Sequence, residues 1–229
     1  MRIIDQSVEV IRPRTLEEGI DRFRCIEIAG RNCWRSEEKI TEDSYRRFLE
    51  VLRTKGHESP IEFGDIMYGM TTSRDVLCEI SRHRIGISLS VESQRYVNES
   101  KDEGGIKFIR PLFYKEFDPY YNYSLHRNEE RDRAYEASRL WDDAMELAED
   151  EYNRLIALGM KNQDARKVLP NSTACRIVMK VNLRELLHIY DLRSSPAAYP
   201  EIRELMRLLK IETDKFLPGV LPEKEVNND

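Results

Sequence analysis

Residues 81–96 read SRHRIGISLSVESQRY, and this stretch concentrates anion-binding side chains around little apolar surface. It contains three arginines (Arg82, Arg84 and Arg95), one histidine and four serines. A guanidinium group grips phosphate or carboxylate through a planar fork of donors, and serine hydroxyls add neutral donors and acceptors. Gly86 permits a tight turn or a close approach of the backbone to a ligand. The stretch therefore indicates an anion site; the alternative is a solvated helix end followed by a polar loop.

The composition limits the partners of such a site. The 229 residues most economically form one domain, and the chain is 34% charged with a formal net charge of -5. An acidic chain is poorly suited to coat nucleic acid or an anionic membrane. The first residues lack the features of a secretory signal, and no apolar stretch reaches the length of a membrane span. We expect a cytoplasmic protein with no nucleic-acid or membrane partner.

The four cysteines predict neither a zinc site nor a disulfide framework, because no Cys-x-x-Cys pair occurs. We expect reduced and mostly buried thiols. Cys78 falls in an apolar helical pattern and Cys175 in a strand pattern, so both are expected to be buried and inert.

Helical and strand patterns alternate along the chain without a linker or an internal repeat. Strands are predicted at residues 7–11, 66–70, 106–108 and 173–181. Helices are predicted from Thr15 towards Ala29, from Thr41 to Gly56, at residues 73–80, at about 128–158, from Asn182 towards Tyr190, and at 200–216. Residues 114–123 read as an irregular aromatic segment and 223–229 as a frayed end. We expect a single α+β domain over residues 1–229, with an antiparallel sheet flanked by helices, one of them long.

The pattern Arg-His-Arg, eight residues, then Ser-x-Arg-Tyr resembles the signature of the flavin-dependent thymidylate synthases. Seven residues separate the two parts in most members, so the eight from Ile85 to Glu92 form a one-residue length variant. The residues Phe63, His188, Ala197 and Tyr199 depart from the common pattern. The resemblance covers about residues 29–203, and further similar segments lie at residues 29–33, 57–62, 165–170, 182–184, 191–195 and 198–203.

The resemblance implies a site for FAD and a site for deoxyuridine monophosphate (dUMP). Contacts with FAD are implied for Ser59, Arg82, His83, Arg84, Glu92, Asn182, Arg184 and His188. Contacts with dUMP are implied for Glu79, Arg82, Glu92, Ser93, Gln94, Arg95, Arg166 and Arg193. Arg193 is the implied catalytic residue, because the matching arginine lies against the pyrimidine and favours its ionisation at N3.

Several of these residues also have a purely structural interpretation. Asn182 is a good helix cap, and Arg166 could be an ordinary cation at a helix end. Arg193 could simply pair with Asp191. The loop containing His57 could cap the strand that follows.

The resemblance implies reductive methylation of dUMP to dTMP, with 5,10-methylenetetrahydrofolate as carbon donor, FAD as hydride carrier and NADPH as reductant. It also implies a homotetramer whose active sites are shared between subunits, with Arg166 reaching the nucleotide of a neighbouring subunit. No metal is expected. No protein nucleophile is expected either, because a flavin carries the redox step itself and the protein mainly has to position and polarise the reactants. The alternatives are a flavoprotein of the same fold without synthase activity, or an RNA- or nucleotide-binding module that uses the aromatic segment for stacking.

Overall fold

The computed structural model describes residues 1–101, 103–115 and 129–223, which contain both strands and helices. The strands of this part are β1 (Arg2–Ile4), β2 (Ser7–Arg12), β3 (Asp65–Ser73), β4 (Ile87–Val91), β5 (Lys107–Ile109) and β6 (Ala174–Asn182). Its α-helices are α1 (Leu16–Trp34), α2 (Ser44–Thr54), α3 (Arg74–Ile80), α4 (Leu112–Lys115), α5 (Glu129–Ala157), α6 (Asn162–Ala165), α7 (Leu183–Arg193) and α8 (Pro200–Asp214). Short 3-10 helices lie at Glu37–Lys39, Ser59–Phe63, Glu99–Lys101 and Arg166–Val168.

The mixed α and β architecture confirms the predicted fold class, and each predicted helix and strand is present. Strands β1 and β4 and the short helices α4 and α6 were missed, and residues 114–115, which had been read as irregular, belong to α4. Residues 116–123 of the predicted aromatic segment and residues 224–229 of the predicted frayed end lie outside the described residues. None of the described helices combines the length and the apolar character needed to cross a membrane.

The chain divides into two compact units. The first consists of Met1–Gln6, Thr71–Cys78 and Val91–Arg176, and the second of Ser7–Met70, Glu79–Ser90 and Ile177–Asp229. The single-domain interpretation stays a prediction.

The first unit is built around the long helix α5. Its core joins Ile106 and Phe108 to Met145 and Tyr152 of α5. Met145 and Tyr152 are seven residues apart, which places them on one face of the helix. β1 and β5 pair in parallel. The helix ends as predicted at Gly159, whose φ of +86° is the left-handed conformation that glycine adopts without steric cost.

The second unit holds most of an antiparallel four-stranded sheet with the strand order β2–β3–β6–β4. Helix α8 is fixed to this sheet, since the hydroxyl groups of Tyr68 on β3 and Thr213 on α8 lie 2.6 Å apart and are both buried. Strand β6 leads directly into α7, because Asn182 ends the strand and caps the helix. This junction positions the candidate site of the second unit.

The expectation of mostly buried thiols is wrong. Cys25, Cys33 and Cys78 are exposed, and none of the four cysteines forms a disulfide. Helix α3 buries Val76 and Ile80, which are four residues apart, so Cys78 midway between them faces the other side. Cys175 is buried as predicted, and burial raises the pKa of its thiol to about 11.

Candidate active site

Four side chains of the second unit form a linked polar cluster, which we call the His83 cluster: Glu79, His83, Glu185 and Arg193. Nδ1 of His83 lies 3.1 Å from Oε1 of Glu185. Arg193 donates from Nε to Nε2 of His83 at 3.1 Å, from Nη1 to Oε2 of Glu79 at 2.5 Å, and from Nη2 to the Glu79 carbonyl at 3.1 Å. Glu79 is an ion-pair partner of Arg193.

These contacts define the protonation state of His83. Because Nε2 accepts from Arg193, the ring proton must lie on Nδ1, from which it is donated to Glu185. Burial is the largest influence on the pKa of His83 and lowers it; the positive charge of Arg193 lowers it further, against the opposing effect of Glu185. The His83–Glu185 contact is therefore a hydrogen bond of a neutral imidazole, which orients Arg193 without adding a second positive charge.

The junction of β6 and α7 supports the cluster through Asn182. The side chain of Asn182 accepts from the backbone N–H of Glu185 at 2.8 Å, which confirms the predicted helix cap. The N–H of Asn182 donates to the carbonyl of Gly86 at 2.9 Å, so the Glu185 side chain is released to hold His83. The sequence predicts a capping box at this helix start, whereas the structure retains only its Asn182 half.

A cavity of about 550 Å³ lies beside this junction and contains three of the residues that the sequence assigns to FAD. Asn182, Arg184 and His188 line it together with Ile85. Arg184 donates to Glu58 at 3.2 Å and to Glu62 at 2.6 Å, and these carboxylates raise its pKa. The cavity thus offers amide, guanidinium and imidazole groups in fixed positions.

Arg82 and Arg84 flank His83 with their side chains exposed. Neither has a hydrogen-bond or ion-pair partner among residues 1–101, 103–115 and 129–223. Both cations are therefore available to an anionic group. Ser59, at the start of its 3-10 helix, is likewise exposed.

In the first unit, Glu92 is held by three contacts. Its N–H and its Oε2 bind the carbonyl and the N–H of Arg176, at 2.9 and 3.1 Å. Its carbonyl accepts from Nη2 of Arg74 at 3.0 Å. Glu92 therefore fixes the chain at the point where β4 passes into the Ser93 segment.

The Ser93 segment is a tight turn. The carbonyl of Ser93 accepts from the N–H groups of Tyr96 and Val97, both at 3.0 Å. This turn leaves Arg95 exposed, with its guanidinium 5.5 Å from the centre of the Tyr96 ring. Gln94 is buried, and its Nε2 has no hydrogen-bond partner in the described part of the chain. The turn thus leaves the guanidinium of Arg95 exposed and one buried N–H donor of Gln94 without a partner in the described residues.

Arg166 is exposed at the start of a 3-10 helix in the same unit. Nδ2 of Asn162, four residues earlier, donates to the carbonyl of Tyr96 at 3.3 Å. This bond links the segment before Arg166 to the Ser93 turn.

The predicted site residues thus fall into two groups. The second unit carries Ser59, Glu79, Arg82, His83, Arg84, Asn182, Arg184, His188 and Arg193, and the first carries Glu92, Ser93, Gln94, Arg95 and Arg166. The sequence did not reveal two pairings that hold members of the site: Glu185 with His83, and Glu58 and Glu62 with Arg184. Glu58 and Glu62 had been noted only as part of the loop around His57 that could bind a cofactor edge or cap the next strand. Only the capping-box pattern pointed to Glu185, and it indicated a structural role.

A comparison with known protein families identifies the family of this chain. The model of the family described as thymidylate synthase complementing protein matches residues 15–219. The chain belongs to the thymidylate synthase complementing protein family. The match confirms the resemblance inferred from the arginine-rich stretch.

Relatives in the thymidylate synthase complementing protein family carry a consistent name. A flavin-dependent thymidylate synthase of Geobacter sulfurreducens is 31% identical over 214 residues, covering 90% of this chain and 82% of the relative. A flavin-dependent thymidylate synthase of Haloarcula marismortui is 31% identical over 186 residues, covering 76% of this chain and 72% of the relative.

Solved structures share the fold. Thymidylate synthase X from Helicobacter pylori, determined with FAD and dUMP, superposes with a TM-score of 0.67 at 25% identity, covering 95% of this chain and 100% of that one. The UMP/dUMP methylase PolB from Streptomyces cacaoi, bound with 5-Br dUMP, superposes with a TM-score of 0.74 at 23% identity, covering 96% and 95%.

Proposed function

We propose that this protein is a flavin-dependent thymidylate synthase that methylates dUMP at C5 to form dTMP. The carbon donor in this proposal is 5,10-methylenetetrahydrofolate, and the final reductant is NADPH. FAD, when bound, supplies the hydride that reduces the transferred carbon. The observation that carries the proposal is the family match over residues 15–219, together with the relatives' shared name.

The donor set of the second unit fits a flavin. The cavity beside α7 presents Asn182, Arg184 and His188, which can hydrogen-bond the oxygens and nitrogens of a flat polar ring. The exposed guanidinium groups of Arg82 and Arg84 suit a pyrophosphate, which they can grip with paired donors. We propose these five residues, with Ser59, His83 and Glu92, as the FAD contacts.

Arg193 is the residue to which we assign the chemistry of dUMP activation. A guanidinium against the pyrimidine stabilises the negative charge that develops when N3 loses its proton, and this charge makes C5 more nucleophilic. Three of its five N–H groups bind His83 and Glu79, which leaves two for a ligand. Anchoring of this kind lets the guanidinium act with little reorganisation.

Binding of dUMP is assigned to the remaining residues of the two groups. Ser93, Gln94 and Arg95 form a turn with unused donors, which suits a phosphate. Glu79, Arg82, Glu92 and Arg166 complete the proposed nucleotide contacts.

The environment of the potential nucleophiles supports a reaction without a covalent protein intermediate. Cys175 is buried with a pKa raised to about 11, so its thiolate is scarce at neutral pH. The hydroxyl oxygen of Ser93 accepts from the N–H of Arg95 at 3.4 Å, and no hydrogen bond from it to a histidine or a carboxylate occurs in the described residues. Ser93 is therefore assigned to binding.

We also propose assembly into a homotetramer. Leu140 and Leu147 lie seven residues apart on α5 and are 58% and 61% exposed, so one face of this helix carries apolar surface. A second copy of the chain would cover this face. Light scattering after size exclusion should give four times the 27.1 kDa chain mass.

The function is tested by incubating the purified protein with FAD, NADPH, 5,10-methylenetetrahydrofolate and dUMP. Mass spectrometry should detect dTMP, and omission of any one component should abolish it. Flavin absorbance without dTMP would favour the flavoprotein that lacks synthase activity. A protein that neither takes up flavin nor forms dTMP would refute the proposal.

A further inference from the structure

A second cavity of the second unit has no role in the function proposed above. It measures about 700 Å³ and lies between the end of α1, the 3-10 helix at Glu37–Lys39, and α2. Five of its lining residues are basic: Arg31, Lys39, Arg47, Lys55 and His57. We refer to it as the cationic cavity, and we propose that it binds the polyanionic end of a heteroaromatic co-substrate.

The charge of this cavity opposes that of the chain. Among the described residues, no aspartate or glutamate lines it, although the chain has a formal net charge of -5. By contrast, the cavity beside α7 is lined by four carboxylates, those of Glu58, Glu62, Glu185 and Asp191. A random surface depression of an acidic protein would be expected to mix the signs, so the exclusion of acids points to an anionic ligand.

Three of the cations are uncompensated. Within the described ranges, Lys39, Arg47 and Lys55 have exposed side chains and no carboxylate partner. Lys39 comes from the 3-10 helix at Glu37–Lys39, whereas Arg47 and Lys55 come from α2 and the residue that ends it, so the ammonium and guanidinium groups can approach one ligand from two segments.

The fourth strong base is fixed in position. Arg31 donates from Nε and Nη2 to Oε1 of Glu27 at 3.1 and 3.0 Å, and its guanidinium lies 4.6 Å from the centre of the Phe48 ring. Glu27 is 1% exposed and also accepts from Ser44 at 2.8 Å. This bonding joins α1 to α2 and holds the cavity wall before any ligand arrives.

An aromatic side chain completes the cavity. Trp34 is 51% exposed, and its ring meets Phe48 and His57 edge to face, with centroids 6.2 and 5.7 Å away. About half of the Trp34 side chain therefore stays exposed for contact with a ligand. Stacking of a nucleobase on an aromatic side chain contributes about 1–3 kcal/mol to binding. A stacking role would explain why a large apolar side chain such as Trp34 stays half-exposed to water.

Cations around an exposed indole recognise a flat heteroaromatic ring that carries several negative charges. This step rests on the proposed function, which requires two co-substrates of that description. NADPH combines adenine with three phosphate groups, and a polyglutamylated folate combines a pterin with several carboxylates. Both molecules join a flat ring to several negative charges, and the binding experiment below distinguishes NADPH from the folate.

Binding to the whole protein is measured by titration calorimetry with two probes, adenosine 2′,5′-bisphosphate and pentaglutamyl folic acid. The test variant is Arg47→Gln with Lys55→Gln. Its charge-matched control is Arg46→Gln with Lys215→Gln, since both control residues are exposed and lie outside the cavity. We expect the test variant to weaken binding by about tenfold or more and the control by less than about twofold. Trp34→Leu should weaken the same probe without changing its salt dependence.

If the test variant loses affinity only for the bisphosphate, the ligand of the cavity is the adenosine phosphate end of NADPH. If it loses affinity only for pentaglutamyl folic acid, the ligand is the glutamyl end of the folate. Equal effects of test and control variants on both probes, or no binding of either probe to the wild-type protein, would overturn the proposal. Turnover is measured separately with saturating substrates. A protein that binds a probe through this cavity but forms no dTMP would refute the proposed function while leaving the site itself established.

Discussion

Nε of Arg193 donates a hydrogen bond to Nε2 of His83 over 3.1 Å. This bond requires a lone pair on Nε2, and therefore a neutral imidazole. The other ring nitrogen donates to Glu185, so one histidine transmits the position of a carboxylate to the guanidinium that we assign to dUMP activation. The orientation of Arg193 consequently depends on the protonation state of His83.

Acidification should weaken this cluster. The folded-state pKa of His83 lies below its ordinary 6.5, so its stabilising contribution is complete above pH 6.5 and is lost as the pH falls from there towards the folded-state value. Thermal unfolding measured from about pH 7.5 to about pH 5 should show a falling melting temperature. In His83→Gln, whose amide oxygen can still accept from Arg193, the fall should be shallower. Parallel profiles for wild type and variant would assign the pH dependence to other groups.

Arg193→Ala should reduce turnover by about 100-fold or more, because it removes a donor aimed at developing charge. The protein should retain its flavin, since the cavity residues beside α7 are unchanged. Arg207→Ala is a suitable control: Arg207 is also helical and bonded to a carboxylate, Glu204, but it belongs to none of the proposed sites. Turnover is read as dTMP formed and flavin content as absorbance. A fully active Arg193→Ala would remove this residue from the mechanism.

Gly86→Ala should destabilise the protein more than Gly56→Ala. Both glycines have positive φ, +70° and +66°, so both substitutions strain the backbone by about 1 kcal/mol. A Cβ at Gly86 would also lie 2.3 Å from Nδ2 of Asn182, whereas nothing lies within 4 Å of one at Gly56. Overpacking should add a further ~1–3 kcal/mol at Gly86. Urea denaturation measures the difference, and equal free energies of unfolding would contradict the close approach to Asn182.

The four cysteine thiols of the folded protein should differ in their rate of alkylation. Iodoacetamide at neutral pH should modify Cys25, Cys33 and Cys78, which are exposed, and spare Cys175. Burial and a pKa of about 11 both protect Cys175. Peptide mass spectrometry before and after denaturation locates the label. Because no thiol is assigned to catalysis, Cys78→Ser and Cys175→Ser should each keep turnover; loss of activity without loss of folding would call for a covalent mechanism.

The sequence predicted the elements whose signals are local. The cap at Asn182 and the helix end at Gly159 were found because they depend on a few neighbouring residues. Strand β4 was missed although Ile87, Leu89 and Val91 alternate with serines, because charged and hydroxyl side chains on both sides favoured a loop. Its pairing with β6 is a long-range interaction that no local pattern contains.

The hydrogen-bond and ion-pair partners of the site residues could not be predicted from the sequence. Arg193 and Glu79 are 114 residues apart in the chain, so only folding brings them into contact. Asp191 was the nearest acid in the sequence and was therefore named as the alternative partner. Likewise, the exposure of Cys78 followed from which face of a seven-residue helix is buried, and apolar content alone does not determine that face.

Because Glu79 is paired with Arg193, its carboxylate competes with any anionic ligand for the guanidinium group. An incoming anion meets a guanidinium whose charge is already balanced by a carboxylate that cannot diffuse away. Free phosphate or sulfate, which brings no other contacts, is at a disadvantage in that exchange, whereas a nucleotide held elsewhere by its sugar and phosphate is not. We therefore expect the Arg193–Glu79 pair to disfavour a free inorganic anion more than a ligand that the protein contacts at several points.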